Sequence, residues 1–424
     1  METRTPADTP TLLPDIKPTA YISSSSTSLS DLLALSGLPN KTTSAIYLVI
    51  LALVSLAQVA SWSTPTNITN SPNPDADACM SSNGEKIAFA RNDGNDWEIY
   101  VVNSDGTGLR QLTDNLVDDS DPSISSDGSR VAFTHDSSGK RQICIINSDG
   151  SGFKELTDGT QDDVQLSISG DGNKIVFTRI VDKNILLFVI TSDGTGLKQL
   201  TESKGEYIPF VTNPSISDDG KKVAFQDSVA VGSNIFVVNS DGTGLTQLTT
   251  TSGDYSKNIS PSISGDASKI AFTYTASILD EHSSEIFLVN VDGSGLTQLT
   301  SNNKGARYPT LNGDGSKVVF LQGFDNYTEI FIVNADGSGL TRLTSNNDKE
   351  QYPSISGSGN KVAFESNGNV VVITDGSRGN QTPSLDYTGS LNGELAFPTE
   401  IIVVCLVVAV VAAVLVIIYL KRKG

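Results

Sequence analysis

The fold is decided by one recurring stretch, Pro214-Ser-Ile-Ser-Asp-Asp-Gly-Lys-Lys-Val-Ala-Phe225, which continues after a variable segment as Asn234-Ile-Phe-Val-Val-Asn-Ser-Asp-Gly-Thr-Gly-Leu-Thr-Gln-Leu-Thr249. The phenylalanine that ends its first half occurs seven times, at a spacing of 44 to 48 residues. A fixed period in this range is typical of repeat architectures. The recurrences are Phe89, Phe133, Phe177, Phe225, Phe272, Phe320 and Phe364.

Each repeat consists of short apolar runs, rich in Ile, Val and Phe, separated by Gly, Asp, Asn and Ser. This pattern predicts strands and turns. No stretch of it has the apolar periodicity of an amphipathic helix. In the fourth repeat the predicted strands are 215–217, 222–225, 235–238 and 245–249. Asp-Gly pairs join the first strand to the second and the third to the fourth, because these residues tolerate the positive φ of tight hairpins. Four antiparallel strands repeated around an axis predict the blades of a β-propeller.

The seventh repeat has no fourth strand of its own, since no Leu-Thr-x-Leu-Thr phrase follows residues 370–376. Residues 65–82 align without a gap to residues 109–126, which puts residues 66–69 at the position of a fourth strand. We therefore predict an all-β fold, a seven-bladed β-propeller of four-stranded antiparallel blades. In this prediction the N-terminal segment 66–69 closes the ring by pairing with residues 370–373.

The phrases Ser-Ile-Ser-x-Asp-Gly-x-Lys-Val-Ala-Phe, Ile-Phe-Val-Val-Asn-x-Asp-Gly and Leu-Thr-x-Leu-Thr resemble the TolB-type, WD-like propeller repeat over roughly residues 65–376. The resemblance implies the propeller fold and says little about function. TolB proteins pair the propeller with an α/β domain that has no counterpart in this sequence, so their partners are not carried over. The repeat also resembles the propeller that caps some serine peptidases.

Two apolar runs lie outside the repeats. Residues 401–420 are long enough to span a bilayer as a helix, and they end in Lys421-Arg422-Lys423, which the positive-inside rule places in the cytoplasm. The predicted organisation is a disordered or misassigned extension (1–44), a signal peptide or signal anchor (45–61), the propeller (62–376), a flexible stalk (377–399), a transmembrane helix (400–420) and a cytoplasmic basic tail (421–424). We therefore expect a single-pass membrane protein that carries its propeller outside the cell.

The composition argues against several classes of function. The chain has 29 basic and 48 acidic residues, a net charge of −19, whereas nucleic-acid binding needs a basic surface. Cys79 and Cys144 lie on predicted strands, where we expect them to be small core residues. The two histidines, His135 and His282, lie outside any zinc spacing or nucleophile motif, so we predict a protein without catalytic activity.

Calcium is the one metal that the sequence suggests. The phrase Asn-Ser-Asp-Gly-Thr-Gly offers oxygen ligands at alternate positions, but it also has the composition of a hairpin turn, which is the interpretation that we favour. No cofactor is expected beyond this possible calcium. The weak calcium candidates are Asp118, Asp119, Asp121, Asp162 and Asp163.

The variable segments indicate where binding takes place. The short turns between first and second strands and between third and fourth strands share one face of the disc, and the variable loops emerge on the opposite face. Divergent loops on a constant scaffold are where function is usually found, and aromatic and arginine side chains anchor protein and glycan partners. The predicted partner-binding residues on this loop face are Trp97, Arg141, Arg179, Tyr207, Tyr255, Arg307, Tyr308 and Tyr352.

These observations favour a cell-surface binding or envelope-structure module for protein or glycan partners. Two alternatives stay open at this point. One is an extracytoplasmic propeller enzyme, a hydrolase or lyase with an acidic and arginine-containing site at the channel mouth. Convergent carboxylates of raised pKa would favour it. The other is a calcium-dependent adhesion module.

Overall fold

The computed structural model describes residues 62–376, except 138, 203–209, 229–231, 252–255, 277–282, 302–303, 325–326 and 347. The predicted extension, signal segment, stalk, transmembrane helix and tail lie outside the described residues, as do Tyr207 and Tyr255. In the part of the chain that is described, no helix has the length and apolar character needed to cross a membrane.

The described residues form 28 β-strands and no α-helix. The strands are β1 (Thr66–Asn67), β2 (Asp75–Met80), β3 (Lys86–Asn92), β4 (Trp97–Asn103), β5 (Arg110–Gln111), β6 (Asp119–Ile124), β7 (Arg130–Ser137), β8 (Lys140–Asn147), β9 (Lys154–Glu155), β10 (Asp162–Ile168), β11 (Lys174–Val181), β12 (Asn184–Thr191), β13 (Lys198–Gln199), β14 (Val211–Ile216), β15 (Lys222–Ser228), β16 (Ser233–Asn239), β17 (Thr246–Gln247), β18 (Lys257–Ile263), β19 (Lys269–Thr275), β20 (Ser284–Asn290), β21 (Thr297–Gln298), β22 (Ala306–Leu311), β23 (Lys317–Phe324), β24 (Tyr327–Asn334), β25 (Thr341–Arg342), β26 (Glu350–Ile355), β27 (Lys361–Ser366) and β28 (Asn369–Thr374).

The strands pair into four-stranded antiparallel units, as the repeat pattern predicts. We number them from unit 1 (β2–β5) to unit 6 (β22–β25), and unit 7 combines β26–β28 with β1. A single parallel bridge between Ser233 and Lys257 joins units 4 and 5 into one larger sheet. The fourth strands are shorter than predicted, because only two residues of each, such as Thr246 and Gln247, pair with the third strand.

The Asp-Gly turns are built as the sequence predicts. In the first turn of unit 4, Gly220 has φ 65°, and the Asp219 carboxylate accepts hydrogen bonds from the Ser217 hydroxyl at 2.8 Å and the Lys221 amide at 3.0 Å. In the second turn, the Asp241 carboxylate accepts bonds from the amide and hydroxyl of Thr243, at 2.9 and 2.6 Å. The carboxylate of the Asn-Ser-Asp-Gly-Thr-Gly phrase therefore holds its own turn, which is the favoured interpretation.

The core lies between neighbouring units. Phe225 is buried and packs against Val176 and Leu187 of the preceding unit, and its ring stacks on Phe236 of the adjacent strand at 5.6 Å. The corresponding phenylalanines are buried in every unit. Cys144 takes the place of the stacking ring in unit 2 and is buried there, as predicted for a small core residue. Each phenylalanine thus fastens its unit to the one before it.

The predicted closure by the N-terminal segment is confirmed. Thr66 and Asn67 form the outer strand of unit 7, in antiparallel register with Val372 and Val371. The strand is shorter than the predicted segment 66–69, although the Ile68 amide still donates to the Val370 carbonyl at 3.0 Å. Side chains of units 1 and 7 also share one hydrophobic cluster.

At the face of the tight turns, backbone hydrogen bonds join every unit to the next and the last to the first. They run from Asn83 N to Ser126 O, Ser126 N to Gly170 O, Asp171 N to Asp218 O, Asp218 N to Gly265 O, Asp266 N to Gly313 O, Gly313 N to Gly357 O and Gly357 N to Ser82 O, at 2.7 to 3.0 Å. A continuous ring of main chain therefore surrounds the axis at this end.

Side chains of different units also approach one another at this ring. The Asp218 carboxylate accepts a hydrogen bond at 3.0 Å from the hydroxyl of Ser126, two units away. A Cβ added at Gly170 would lie 2.3 Å from the Ser126 hydroxyl, and one added at Gly357 would lie 2.1 Å from the Ser82 hydroxyl. Such distances are too short for real contacts, so a larger residue at either position would displace the neighbouring serine side chain. An open cavity of about 730 Å³ lies at this ring, and Ser82, Ser126 and Asp218 are among the residues that line it.

Candidate functional site

The first strands of the units line the central channel and contact one another around it, including β2 with β26. Each first strand contains a β-bulge, and one residue at each bulge has a left-handed backbone. These bulge residues are Asp77 (φ 56°), Asp121 (52°), Gln165 (50°), Asn213 (52°), Ser260 (53°), Tyr308 (53°) and Tyr352 (48°). Asp and Asn tolerate this conformation, whereas for a bulky tyrosine it is strained. The two strained residues are neighbours, in units 6 and 7.

Tyr308 and Tyr352 border a cavity of about 450 Å³ on the channel side of units 5, 6 and 7. Their side chains are half exposed, at 51% and 49%, in contrast to the buried core phenylalanines. Burial, followed by the nearby charges of Asp77 and Glu365, raises the pKa of Tyr352 to about 12, so the phenol keeps its proton. We call this cavity the loop-face pocket. It contains three of the predicted partner-binding residues, Arg307, Tyr308 and Tyr352.

Three cationic side chains border the loop-face pocket, from three different units: Lys257, Arg307 and Lys349. None of them forms an ion pair with a described residue. Arg307 is held in place because its guanidinium donates a hydrogen bond to the Gly323 carbonyl at 3.0 Å. Unpaired cations concentrated in one pocket are notable in a chain of net charge −19.

Thr273 supplies a buried hydroxyl at the wall of the pocket. The residue is only 1% exposed, and its hydroxyl has no hydrogen-bond partner among the described residues. The equivalent hydroxyls of Thr134 and Thr178 donate to the bulge carbonyls of Ser120 and Val164, each at 3.0 Å. A buried polar group without a partner is uncommon in proteins, so the Thr273 hydroxyl is available to a bound ligand.

Among the described residues that line the pocket, Glu350 is the one carboxylate, and it is buried. It accepts hydrogen bonds from the Asn346 amide at 3.2 Å, from the Ile330 backbone amide at 3.1 Å and from the Thr344 hydroxyl. Burial, with the charge of nearby Glu329, raises the pKa of Glu350 to about 7. At neutral pH this carboxyl is therefore near the midpoint of its titration.

A second group of carboxylates lies beside the pocket, at the channel side of units 1, 2 and 7. Burial and the charge of Asp121 raise the pKa of Asp77 to about 6. Burial raises the pKa of Glu365 to about 8, although its carboxylate accepts a hydrogen bond from the Ala78 amide at 3.0 Å. These are convergent carboxylates of raised pKa, the feature that the sequence analysis connected with the enzymatic alternative.

Arg179 does not belong to the pocket, which corrects its predicted role in partner binding. Its guanidinium forms two hydrogen bonds to the Asp163 carboxylate, at 2.6 and 2.8 Å, and lies over the rings of Phe177 and Phe188. With 9% exposure it is a buried packing residue of unit 3.

Two further predicted residues lie on the loop face away from the pocket. Arg141 pairs with Asp162 at 3.1 Å in a partly exposed position. Trp97 packs against the hydrophobic cluster between units 1 and 2, and its backbone amide donates to Asp118. Their predicted contribution to partner binding stays a prediction.

The five calcium candidates do not converge on one site. Asp119 pairs with His135 at 2.6 Å, Asp162 and Asp163 pair with arginines, and Asp118 accepts the Trp97 amide. Asp121 is a bulge residue at the channel. Among the described residues, no group of three or more His, Cys, Asp and Glu side chains is arranged to hold a metal ion.

The importance of the bulge position, of Thr273 and of Glu365 was not predicted from the sequence. A signal was present, because in five units the bulge residue is the variable residue directly before a proline, as in Asn213-Pro214 and Tyr352-Pro353. A variable residue inside an otherwise constant phrase indicates a position that the fold leaves free.

Comparisons with known proteins agree with this architecture. The family model described as PD40, TolB beta propeller domain, matches residues 41–257 and 210–390. A comparison with curated protein sequences found no match.

The solved structures similar to this chain include enzymes. Oligogalacturonate lyase from Vibrio parahaemolyticus is 15% identical, with a TM-score of 0.58, over 73% of this chain and 93% of the lyase. An oligogalacturonate lyase in complex with manganese is 15% identical, with a TM-score of 0.59, over 73% of this chain and 92% of that one. A prolyl endopeptidase is 15% identical, with a TM-score of 0.56, over 72% of this chain and 47% of the peptidase. At this identity the similarity establishes the fold alone.

Proposed function

The chain belongs to the TolB β-propeller family, and from this premise we propose that it is a saccharide-binding propeller. In this proposal the seven units are the blades of one closed ring, and the loop-face pocket between units 5 and 7 binds the saccharide. Segments 45–61 and 401–420 support the further proposal that the propeller is held at the cell surface by a membrane anchor.

One observation carries the proposal: two exposed tyrosines, in strained backbone conformations, border a pocket that also contains hydroxyl groups and cations. Aromatic rings pack against the apolar faces of sugar rings, and polar side chains bind the hydroxyl groups. A cavity of about 450 Å³ has the size of a small-ligand site.

The test is binding of the purified full-length chain to a panel of neutral and acidic oligosaccharides. We expect at least one class to bind, and we expect Tyr308→Ala and Tyr352→Ala each to weaken that binding by about tenfold or more. Tyr327→Ala is the matched control, because Tyr327 is 59% exposed in the same unit and does not border the pocket. Equal affinity in all three variants would contradict the assignment of this pocket.

Cleavage of the bound saccharide is a second candidate function. The specific observations that favour it are the buried Glu350 at the pocket and the carboxylates Asp77 and Glu365 beside it, all with raised pKa values, which are typical of general acids and bases. The oligogalacturonate lyases that share the fold make a lyase reaction the first to test. Ultraviolet absorbance of unsaturated products would reveal it. Intact oligosaccharide after prolonged incubation with a protein that binds it would rule it out for that substrate.

A further inference from the structure

We propose that the ligand of the loop-face pocket is an acidic saccharide, bound through carboxylate groups of the uronate type. This inference rests on the proposed saccharide-binding function and specifies the chemistry of the ligand. It is carried by the charge of the pocket walls and by the hydrogen bonds around Glu350.

The pocket contains three cations that form no ion pair with a described residue. Lys257, Arg307 and Lys349 come from units 5, 6 and 7, so separate parts of the chain bring three positive charges to one cavity. The ion pairs of the described residues elsewhere involve Arg91, His135, Arg141, Arg179, Lys221, Lys317 and Arg342. Among the described residues, no carboxylate forms an ion pair with any of the three pocket cations, which suits them to the charges of a bound anion.

Glu350 also lies next to a hydroxyl group. The Thr344 hydroxyl lies within hydrogen-bond distance of a carboxylate oxygen of Glu350 and, at 2.6 Å, of one of Glu329. A hydroxyl has one proton and can donate to only one of two carboxylates. The other contact is a hydrogen bond only if that carboxyl carries a proton. A proton on one of the two carboxyls would make both contacts hydrogen bonds.

Burial, with the charge of Glu329, raises the pKa of Glu350, so this carboxyl holds a proton more readily than an exposed glutamate does. Lys349 precedes Glu350 in the chain, and Arg307 and Tyr308 on β22 and Lys257 on β18 face the same cavity. Ionised Glu350 would offset one of the three cations. Protonated Glu350 leaves the walls of the pocket with a net positive charge, which suits an anionic ligand.

The walls of the same pocket also supply a hydroxyl group. Thr273 offers a buried hydroxyl without a partner, beside the strained Tyr308 and Tyr352. A small inorganic anion would use the cations alone. A sugar that carries a carboxylate uses the cations, the hydroxyl and the aromatic faces together.

The experiment compares trigalacturonic acid with its methyl ester, which has the same shape but no charge. Isothermal titration calorimetry of the full chain at low salt is expected to show the acid binding at least about tenfold more tightly than the ester. Arg307→Gln and Lys349→Gln should each reduce that preference. Lys221→Gln, a change on the tight-turn face of the protein, should leave it unchanged.

The pH profile gives an independent readout. Affinity for the acid should fall by about tenfold as the pH rises through about 7, because Glu350 gains its charge there, and Glu350→Gln should abolish this fall. Glu98→Gln is the control, because Glu98 is a buried carboxyl of raised pKa in unit 1 that does not border the pocket.

The possible results distinguish the proposal of an acidic ligand from the proposal of saccharide binding in general. Equal affinities for acid and ester, or tight binding only to neutral members of the panel, would overturn the acidic ligand and leave saccharide binding intact. Absence of binding to every oligosaccharide in the panel would overturn both.

Discussion

Arg179 and Asp163 form a buried pair of directly opposed residues on β10 and β11, with two hydrogen bonds of 2.6 and 2.8 Å. The same pairing recurs in unit 1 as Asp75 with Arg91 and in unit 2 as Asp119 with His135. In units 1 and 3 the guanidinium also lies over two aromatic rings. The pair is thus a structural device of the first three units.

Replacement of Arg179 by alanine is expected to lower the free energy of unfolding by about 3–5 kcal/mol, because it leaves the Asp163 carboxylate buried without a partner. Arg141→Ala is the matched control, since the Arg141–Asp162 pair is partly exposed and should contribute less than about 1 kcal/mol. Chemical denaturation measures both. A similar small effect for the two variants would contradict the structural role of Arg179.

Glu365→Gln is expected to stabilise the protein in alkaline solution. The pKa of Glu365 is raised to about 8 in the folded state, so stability is lost as the pH rises from the ordinary glutamate pKa of about 4.5 through about 8. The variant should unfold with a free energy about 3–5 kcal/mol higher near pH 9 and nearly equal to the wild type near pH 4. The amide can still accept the Ala78 N–H, as Gln226 accepts that of Ser260 in unit 5. Thermal unfolding across the pH range measures the difference.

Gly357→Ala is expected to destabilise the ring at the tight-turn face by about 1–3 kcal/mol, because the new methyl group would lie 2.1 Å from the Ser82 hydroxyl. Adding Ser82→Gly should recover part of this loss, since it removes the clashing side chain. A double variant no more stable than Gly357→Ala would show that the clash is not the cause.

Ile68→Pro tests the closure by β1. The substitution removes the amide that donates to the Val370 carbonyl, and the free energy of unfolding should fall by about 1–3 kcal/mol more than in Ile68→Ala, which keeps the amide. Hydrogen exchange should accelerate in β28 (Asn369–Thr374) before it does in units 2 to 4. Unchanged protection of β28 would mean that β1 is not needed to hold unit 7.

The frame of the fold was predictable because its determinants are local. Phe225 and the turns at Asp219 and Asp241 act within one repeat, so a single copy predicts all others. The closure at Thr66 and Asn67 was predictable from the incomplete seventh repeat. The number of residues that pair in this strand depends on the local twist of the sheet and was not predictable from the sequence pattern.

The pocket was predictable only in part. Arg307, Tyr308 and Tyr352 were predicted as partner-binding residues of the loop face. Nothing in one sequence indicates that Lys257 of another unit reaches the same cavity. Arg179 was misassigned because its position on a variable face suggested exposure, whereas its partner Asp163 lies on the opposing strand. The free hydroxyl of Thr273 can be recognised only by comparison with the satisfied hydroxyls of equivalent residues.

The seven bulge residues are held by the main chain of their own first strands, and the side chain at each bulge contributes little to that pairing. A change at Tyr308 therefore alters the lining of the channel and leaves the main-chain pairing of its strand in place, whereas the Gln165 side chain also accepts a hydrogen bond from the Asn213 amide of the next unit at 3.1 Å. Single substitutions at these positions give the scaffold a route to new specificities during evolution, one position at a time. The same seven positions are the natural choice for a randomised library, in which binders to other carbohydrates can be selected on an unchanged framework.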